Sequence, residues 1–128
     1  MSFEKIFESW LTESLAEKVP ESVKAFSFNL YEPAFINEVT FGIELIGAET
    51  FDENDEDWAC EEIWEPQKRG INIPTIYSGK DWEACLEKVK VLLEKKLTSN
   101  STTIQKLKSR EGIGIGFVDG NIEIIWKP

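Results

Sequence analysis

The chain has 128 residues, with 24 acidic and 14 basic side chains, a net charge of −10 and no histidine. Its length suits one domain, and 41% hydrophobic residues with 12% aromatics can build a core without metal or disulfide support. The missing imidazole excludes Ser-His-Asp and Cys-His nucleophile systems, along with histidine-based zinc and iron sites.

No apolar run approaches the ~20 residues that a membrane-spanning helix needs. The N-terminus alternates apolar and acidic residues rather than showing the basic segment and apolar run of a secretory signal. A soluble, cytoplasmic single domain over residues 1–128 is therefore expected. In that reducing setting Cys60 and Cys85 are expected as buried thiols, with a disulfide between them left open on sequence grounds. The charge is uneven: residues 1–65 hold 17 acids and 3 bases, and residues 66–128 hold 7 acids and 11 bases. Nucleic acid is not an expected ligand of the acidic half, because phosphate contacts need Lys and Arg. A basic protein surface fits better, although acidity also serves simple solubility.

In chain order, Phe3, Ile6, Phe7, Trp10, Leu11 and Leu15 form the apolar stripe of a helix, capped by Ser2 and stopped by Pro20. Phe26, Phe28 and Leu30 then alternate with polar or small residues as a half-buried strand, which the Glu32-Pro33 step ends. A second strand places Val39, Phe41, Ile43 and Leu45 on one face against Glu38, Thr40, Gly42 and Glu44, and is expected to pair antiparallel with the first through a short connection. Residues 58–64 are taken as a third strand. Pro66 to Gly79 is expected to be a long irregular connection. Ser78 with Asp81 suggests a capping box for a helix that buries Trp82, Cys85, Leu86, Val89, Leu92, Leu93 and Leu97, with a polar segment from Thr98 to Thr103 after it. Asp119-Gly120 predicts a two-residue hairpin turn with positive φ. The resulting register pairs Phe117 with Ile122, Ile115 with Ile124 and Ile113 with Trp126, all on one face. The sum is an α+β fold: a mainly antiparallel sheet of about five strands, two helices on one face and a C-terminal hairpin.

Few motifs carry chemistry. Two cysteines cannot complete a structural zinc site, and their spacing is not that of a CxxC redox pair. The glycines of Gly112–Phe117 lie within a strand and precede a hairpin, so they do not form a phosphate loop; Gly114 and Gly116 instead suggest a close approach by another backbone or side chain. The nine acids from Glu49 to Glu65 are the anomalous feature. As a calcium loop they fail, because Asp57 takes the glycine position and Ile63 the bidentate-glutamate position. No cofactor or metal is expected.

The preferred site joins these acids to aromatic anchors: Asp52, Glu53, Asp55, Glu56, Asp57, Trp58, Glu61, Glu62 and Trp64 would attract and hold a basic protein partner. Taken singly, each tryptophan is more often a core residue. The carboxylates of Asp52 to Asp57 repel one another and cannot all be buried. Lys106, Lys108 and Arg110 are taken as a solvated basic strip.

The segments Phe28–Glu32, Glu44–Gly47, Phe51–Trp64 and Gly114–Gly120, with Asp57-Trp58-Ala59-Cys60 the most distinctive, resemble a family of small bacterial proteins. These in turn resemble immunity proteins of polymorphic or contact-dependent toxin systems. The resemblance implies no catalytic residues and a partner encoded nearby; against a basic nuclease toxin, an acidic face would stand where phosphates bind. The alternatives are a small metal-dependent or carboxylate-based enzyme using Glu61, Glu62 and the aspartates, and a structural accessory protein without a dedicated ligand.

Overall fold

A computed structural model describes residues 2–33 and 39–128. Helix α1 (Phe3–Ala16) starts where the Ser2 hydroxyl accepts from the Lys5 amide, and it buries Phe3, Phe7, Trp10, Leu11 and Leu15. Ile6, at one edge of that stripe, is 36% exposed. Strands β1 (Ala25–Tyr31) and β2 (Val39–Ala48) pair antiparallel, with Phe28 opposite Leu45 and Leu30 opposite Ile43. The expected alternation therefore faces one core. Glu38 and residues 34–37 of the connection between these strands lie outside the described residues.

The sheet is mixed and open, in the order β3-β2-β1-β5-β6, with β4 also on β2. Strands β3 (Glu62–Trp64) and β4 (Gly70–Pro74) share the outer edge of β2: β3 pairs at Gly47 and Ala48, and β4 along Val39–Glu44. β5 (Ile113–Phe117) runs parallel to β1, placing Ile115 beside Phe28, and β6 (Glu123–Trp126) closes the far side antiparallel to β5. Most pairings are antiparallel; the β1–β5 pair is not. A parallel neighbour needs a long connection, and here the chain passes through β2, β3 and β4 and then α2 (Thr75–Ser78), α3 (Trp82–Lys96) and α4 (Thr102–Leu107) before it reaches β5.

One face of the sheet packs on the helices. Phe26, Phe28, Leu30, Phe41, Ile43, Leu45, Ile71, Ile73, Ile113 and Ile115 meet α1, α3 and α4 in one cluster that includes Phe7, Trp10, Val89, Leu93, Ile104 and Leu107. The Trp10 indole N–H donates to the Lys68 carbonyl at 2.7 Å, which ties α1 to the entry of β4.

Several local expectations are corrected. Residues 56–60 form a 3₁₀ segment, and only Glu62–Trp64 are strand. The Asp55 carboxylate accepts from the Asp57 amide at 3.0 Å and Asp52 from the Asn54 amide at 2.9 Å. Such short acidic side chains hold turns by bonding their own backbone, which overrides a period-2 pattern. The connection from Pro66 to Gly79 contains β4 and α2: Ile71 and Ile73 are buried, Asn72 is exposed, and Pro74 ends the strand. Asp81, not Ser78, caps α3 by accepting from the Glu83 amide at 2.9 Å. Trp82 thus becomes the first helical residue and is 54% exposed instead of core. The polar segment after α3 leads into α4, capped by Ser101.

The hairpin register also shifts. Ile113 does pair with Trp126, but Gly114 faces Ile124 and Ile115 faces Glu123 across a bulge. Gly79 is the one glycine with positive φ among the described residues, so the two-residue turn at Asp119-Gly120 does not form. Instead the Gly120 amide donates to the Phe117 carbonyl at 2.9 Å, and a longer loop runs from Val118 to Ile122. Ile122 packs on the face away from the helices.

The basic strip is structural. Lys106 donates to the carbonyls of Leu15 and Glu17 at the end of α1, and Lys108 to that of Leu97 at the end of α3. Arg110 donates to the carbonyls of Pro20, Glu21 and Val23, the last at 3.1 Å. Helix C-termini leave carbonyls without intrahelical partners, and cations there also meet the favourable end of the dipole. Lys106→Met is expected to lower the free energy of unfolding by about 1–3 kcal/mol, because it strands acceptors that the lysine satisfies. Exposed Lys95→Met should stay within about 0.5 kcal/mol; urea unfolding of the two variants checks the contrast.

Candidate functional site

On the face of the sheet away from the helices, Ala25, Ile46 and Ala48 are fully buried under Trp58, with Phe51, Ala59 and Ile122 at the margin. Trp58 is 3% exposed. Its indole lies over Gly114, where an added Cβ would come within 2.8 Å of the ring and 2.6 Å of the Ile122 side chain. Gly116 likewise leaves room for the returning backbone at Asn121. The close approach expected at these two glycines is therefore made by one tryptophan and one chain reversal. Phe51 meets the Trp58 ring edge-on at 5.1 Å. The Thr50 hydroxyl donates to the Trp58 carbonyl at 3.2 Å, and the Glu49 amide to the Glu61 carbonyl at 2.8 Å.

This packing holds the acidic segment on the surface. The residues Asp52, Glu53, Asp55, Asp57, Glu61 and Glu62 are all exposed; the side chain of Glu56 is outside the described structure. Trp58 lies beneath this surface rather than beside it. Trp64 is half-buried and packs edge-on against Phe26 at 6.0 Å, on the helical side. The nine residues singled out from the sequence thus divide into an acidic outer layer and two aromatic supports.

Two of the acids have basic partners. Glu53 pairs with Lys127. Arg69, between β3 and β4, gathers three glutamates: its Nε donates to Glu44 at 3.0 Å, one terminal nitrogen donates to Glu62 at 2.7 Å, and the other reaches both Glu62 and Glu65. The Glu62 carboxylate foremost holds the Arg69 guanidinium well above its ordinary pKa, so the cation is permanent. Among the described residues, Asp52, Asp55, Asp57 and Glu61 make no ion pair with Lys or Arg.

Beside this layer a cleft of about 430 Å³ opens between the 3₁₀ segment and the β5–β6 loop, with Asp57, Cys60, Glu62, Val118 and Asp119 on its walls and Asn29 from β1. The Ser27 hydroxyl donates to the Asn29 side-chain oxygen at 2.7 Å, which leaves the amide NH₂ of Asn29 as its remaining donor. Asn29 and the loop residues were not singled out from the sequence. The available signal was the β1 alternation, which sets Asn29 on the non-core face. Among the described residues, no group of three or more Cys, Asp and Glu side chains is placed to hold a metal ion.

Both cysteines are free, and they differ. Cys60 is exposed, contrary to the expected burial, because the 3₁₀ turn that buries Trp58 directs it outward. Cys85 is buried in the helical core, and burial pushes its thiol pKa up to about 12.

The fold and site define an α+β domain with an open mixed sheet, in which an acidic layer is fixed to the face opposite the helices. Comparisons with protein-family models, with curated proteins and with solved structures found no match. No described helix is long and apolar enough to cross a membrane.

Two measurements test the geometry. Gly114→Val is expected to cost about 1–3 kcal/mol of stability by overpacking the seat of the indole, with a red shift of tryptophan emission; an unchanged spectrum and unfolding midpoint would contradict the seat. A colorimetric disulfide reagent at pH 8 should label Cys60 alone in the native protein and both thiols in guanidinium. Prompt native labelling of Cys85 would show that the helical core is not closed as described.

Proposed function

We propose that this chain is a protein-binding module of the immunity type, which occludes a basic partner, such as a nuclease toxin encoded nearby, through its acidic surface. The observation that carries this reading is that Asp52, Asp55, Asp57 and Glu61 stand exposed, without Lys or Arg partners among the described residues, over the buried Trp58 cluster. Of the second-half bases, Lys106, Lys108 and Arg110 bond carbonyls, while Arg69, Lys96 and Lys127 pair with Glu44, Glu62, Glu65, Glu8 and Glu53 of the first half. The negative field of the first half is therefore cancelled only in part, and among the described residues Asp52, Asp55, Asp57 and Glu61 keep theirs. Such a field speeds the encounter with a cationic surface and competes with the phosphates that a nuclease would bind.

Co-purification with the product of the adjacent gene, followed by affinity measurements across a salt series, tests this function. Tight binding that weakens steeply with salt and falls at least tenfold in Asp52→Asn/Asp55→Asn/Asp57→Asn is expected. Binding unaltered by the triple variant would eliminate the acidic mechanism.

A further inference from the structure

We propose that the basic partner seats at the β5–β6 loop, where acidic and apolar groups meet, rather than over Trp58 and Trp64; this rests on the function proposed above and locates it. The Trp58 ring is covered and the Trp64 ring lies against Phe26, so neither offers a wide apolar contact. Two large apolar side chains do stand out near this loop. Val118 is 59% exposed and lines the cleft between the 3₁₀ segment and the loop. Trp82 is 54% exposed and meets Phe117, the residue before Val118, edge-on at 5.9 Å. The two therefore flank the end of β5 from opposite faces of the sheet.

The charges around them select the occupant. Asp57 and Asp119 on the cleft walls make no ion pair among the described residues, while Glu62, also on the wall, is taken by Arg69. Before Trp82, Lys80 and Asp81 carry opposite charges, and the Asp81 carboxylate caps α3. A partner with an aliphatic-stemmed cation fits this pattern. A lysine or arginine can lay its methylenes on Val118 while its head reaches Asp57 or Asp119, and a partner segment that continues round the end of β5 can cover the exposed edge of Trp82 with an apolar side chain. The glycines beneath make the loop a firm platform, since the backbone at Asn121 and the side chain of Ile122 lie directly on Gly116 and Gly114.

The test uses the ¹⁵N-labelled protein and two capped hexapeptides, one alternating arginine with leucine and one alternating arginine with serine. The leucine peptide is expected to shift the amides of Val118–Asn121, the Asn29 side chain and the Trp82 indole, and to bind more tightly than the serine peptide. Val118→Ser and Asp57→Asn/Asp119→Asn should each weaken it about fivefold or more, with melting temperatures showing that the variants are folded. If both peptides bind equally and shift only Asp52–Asp55, the location is overturned while the basic-partner reading stands. If neither peptide binds in low salt, both fail.

Discussion

The arrangement of the acidic half depends on one contact, the Trp58 indole on Gly114. A sheet with helices on one side has a second face that must be covered or made polar. Here β1, β2 and β5 present Ala25, Ser27, Ile46, Ala48, Gly114 and Gly116 on that face. Small residues make it flat and shallow. One large ring is enough to cover its centre, and the segment that delivers the ring cannot follow it inward, because its carboxylates lose too much by leaving water. The result is a polar layer pinned by an apolar nail: the charges stay solvated, yet the backbone between Glu49 and Glu61 is fixed at both ends.

The same constraint explains the distribution of the cations. Lys106, Lys108 and Arg110 could in principle have neutralised the acids across the molecule. Lys106 and Lys108 lie instead at the ends of α1 and α3, where carbonyls without intrahelical partners demand donors, and Arg110 bonds the carbonyls of Pro20, Glu21 and Val23 in the turn before β1. Arg69 and Lys127 do pair with acids of the segment, and the place of Arg69 is also structural. Two short strands, β3 and β4, occupy different stretches of the β2 edge, and the guanidinium between them bonds Glu44 on β2 as well as Glu62 and Glu65. Such pairs near the surface contribute modestly to stability. Their clearer effect is to fix where β3 ends and β4 begins, and so to separate neutralised glutamates from the free aspartates.

How far the sequence revealed this fold follows from the range of the forces involved. The faces of α1, β1, β2 and α3 were legible because each is an amphipathic repeat readable within its own residues. The parallel pairing of β5 with β1 was not, since nothing local to either strand names its neighbour. The segment at 56–64 misled because Trp58, Cys60, Glu62 and Trp64 alternate, whereas the aspartates before them set the turn through their own backbone bonds. Trp82 misled for a similar reason. Its position fits the apolar stripe by periodicity, but the cap at Asp81 makes it the first helical residue, where its ring meets Phe117 edge-on and stays half exposed. The acidity of the site was fully legible. Which indole lay open was not, because the ring of Trp58 is buried by glycines more than fifty residues away.

The fixed acidic layer carries a further consequence for any cationic partner. Like charges held close together raise the free energy of the isolated domain, and the backbone bond between Glu49 and Glu61 limits how far the segment can spread. A partner that supplies positive charge therefore gains more than its pairwise contacts, because it also relieves repulsion already present in the free protein. Little ordering cost offsets that gain, since Asp52 and Asp55 are already engaged with their own backbone and Asp57 follows directly in the 3₁₀ turn. Under the proposed function, preorganised charge would link the buried Trp58 to a binding event it does not touch: loosening the ring on Gly114 would let the carboxylates spread and lower the repulsion and the affinity together.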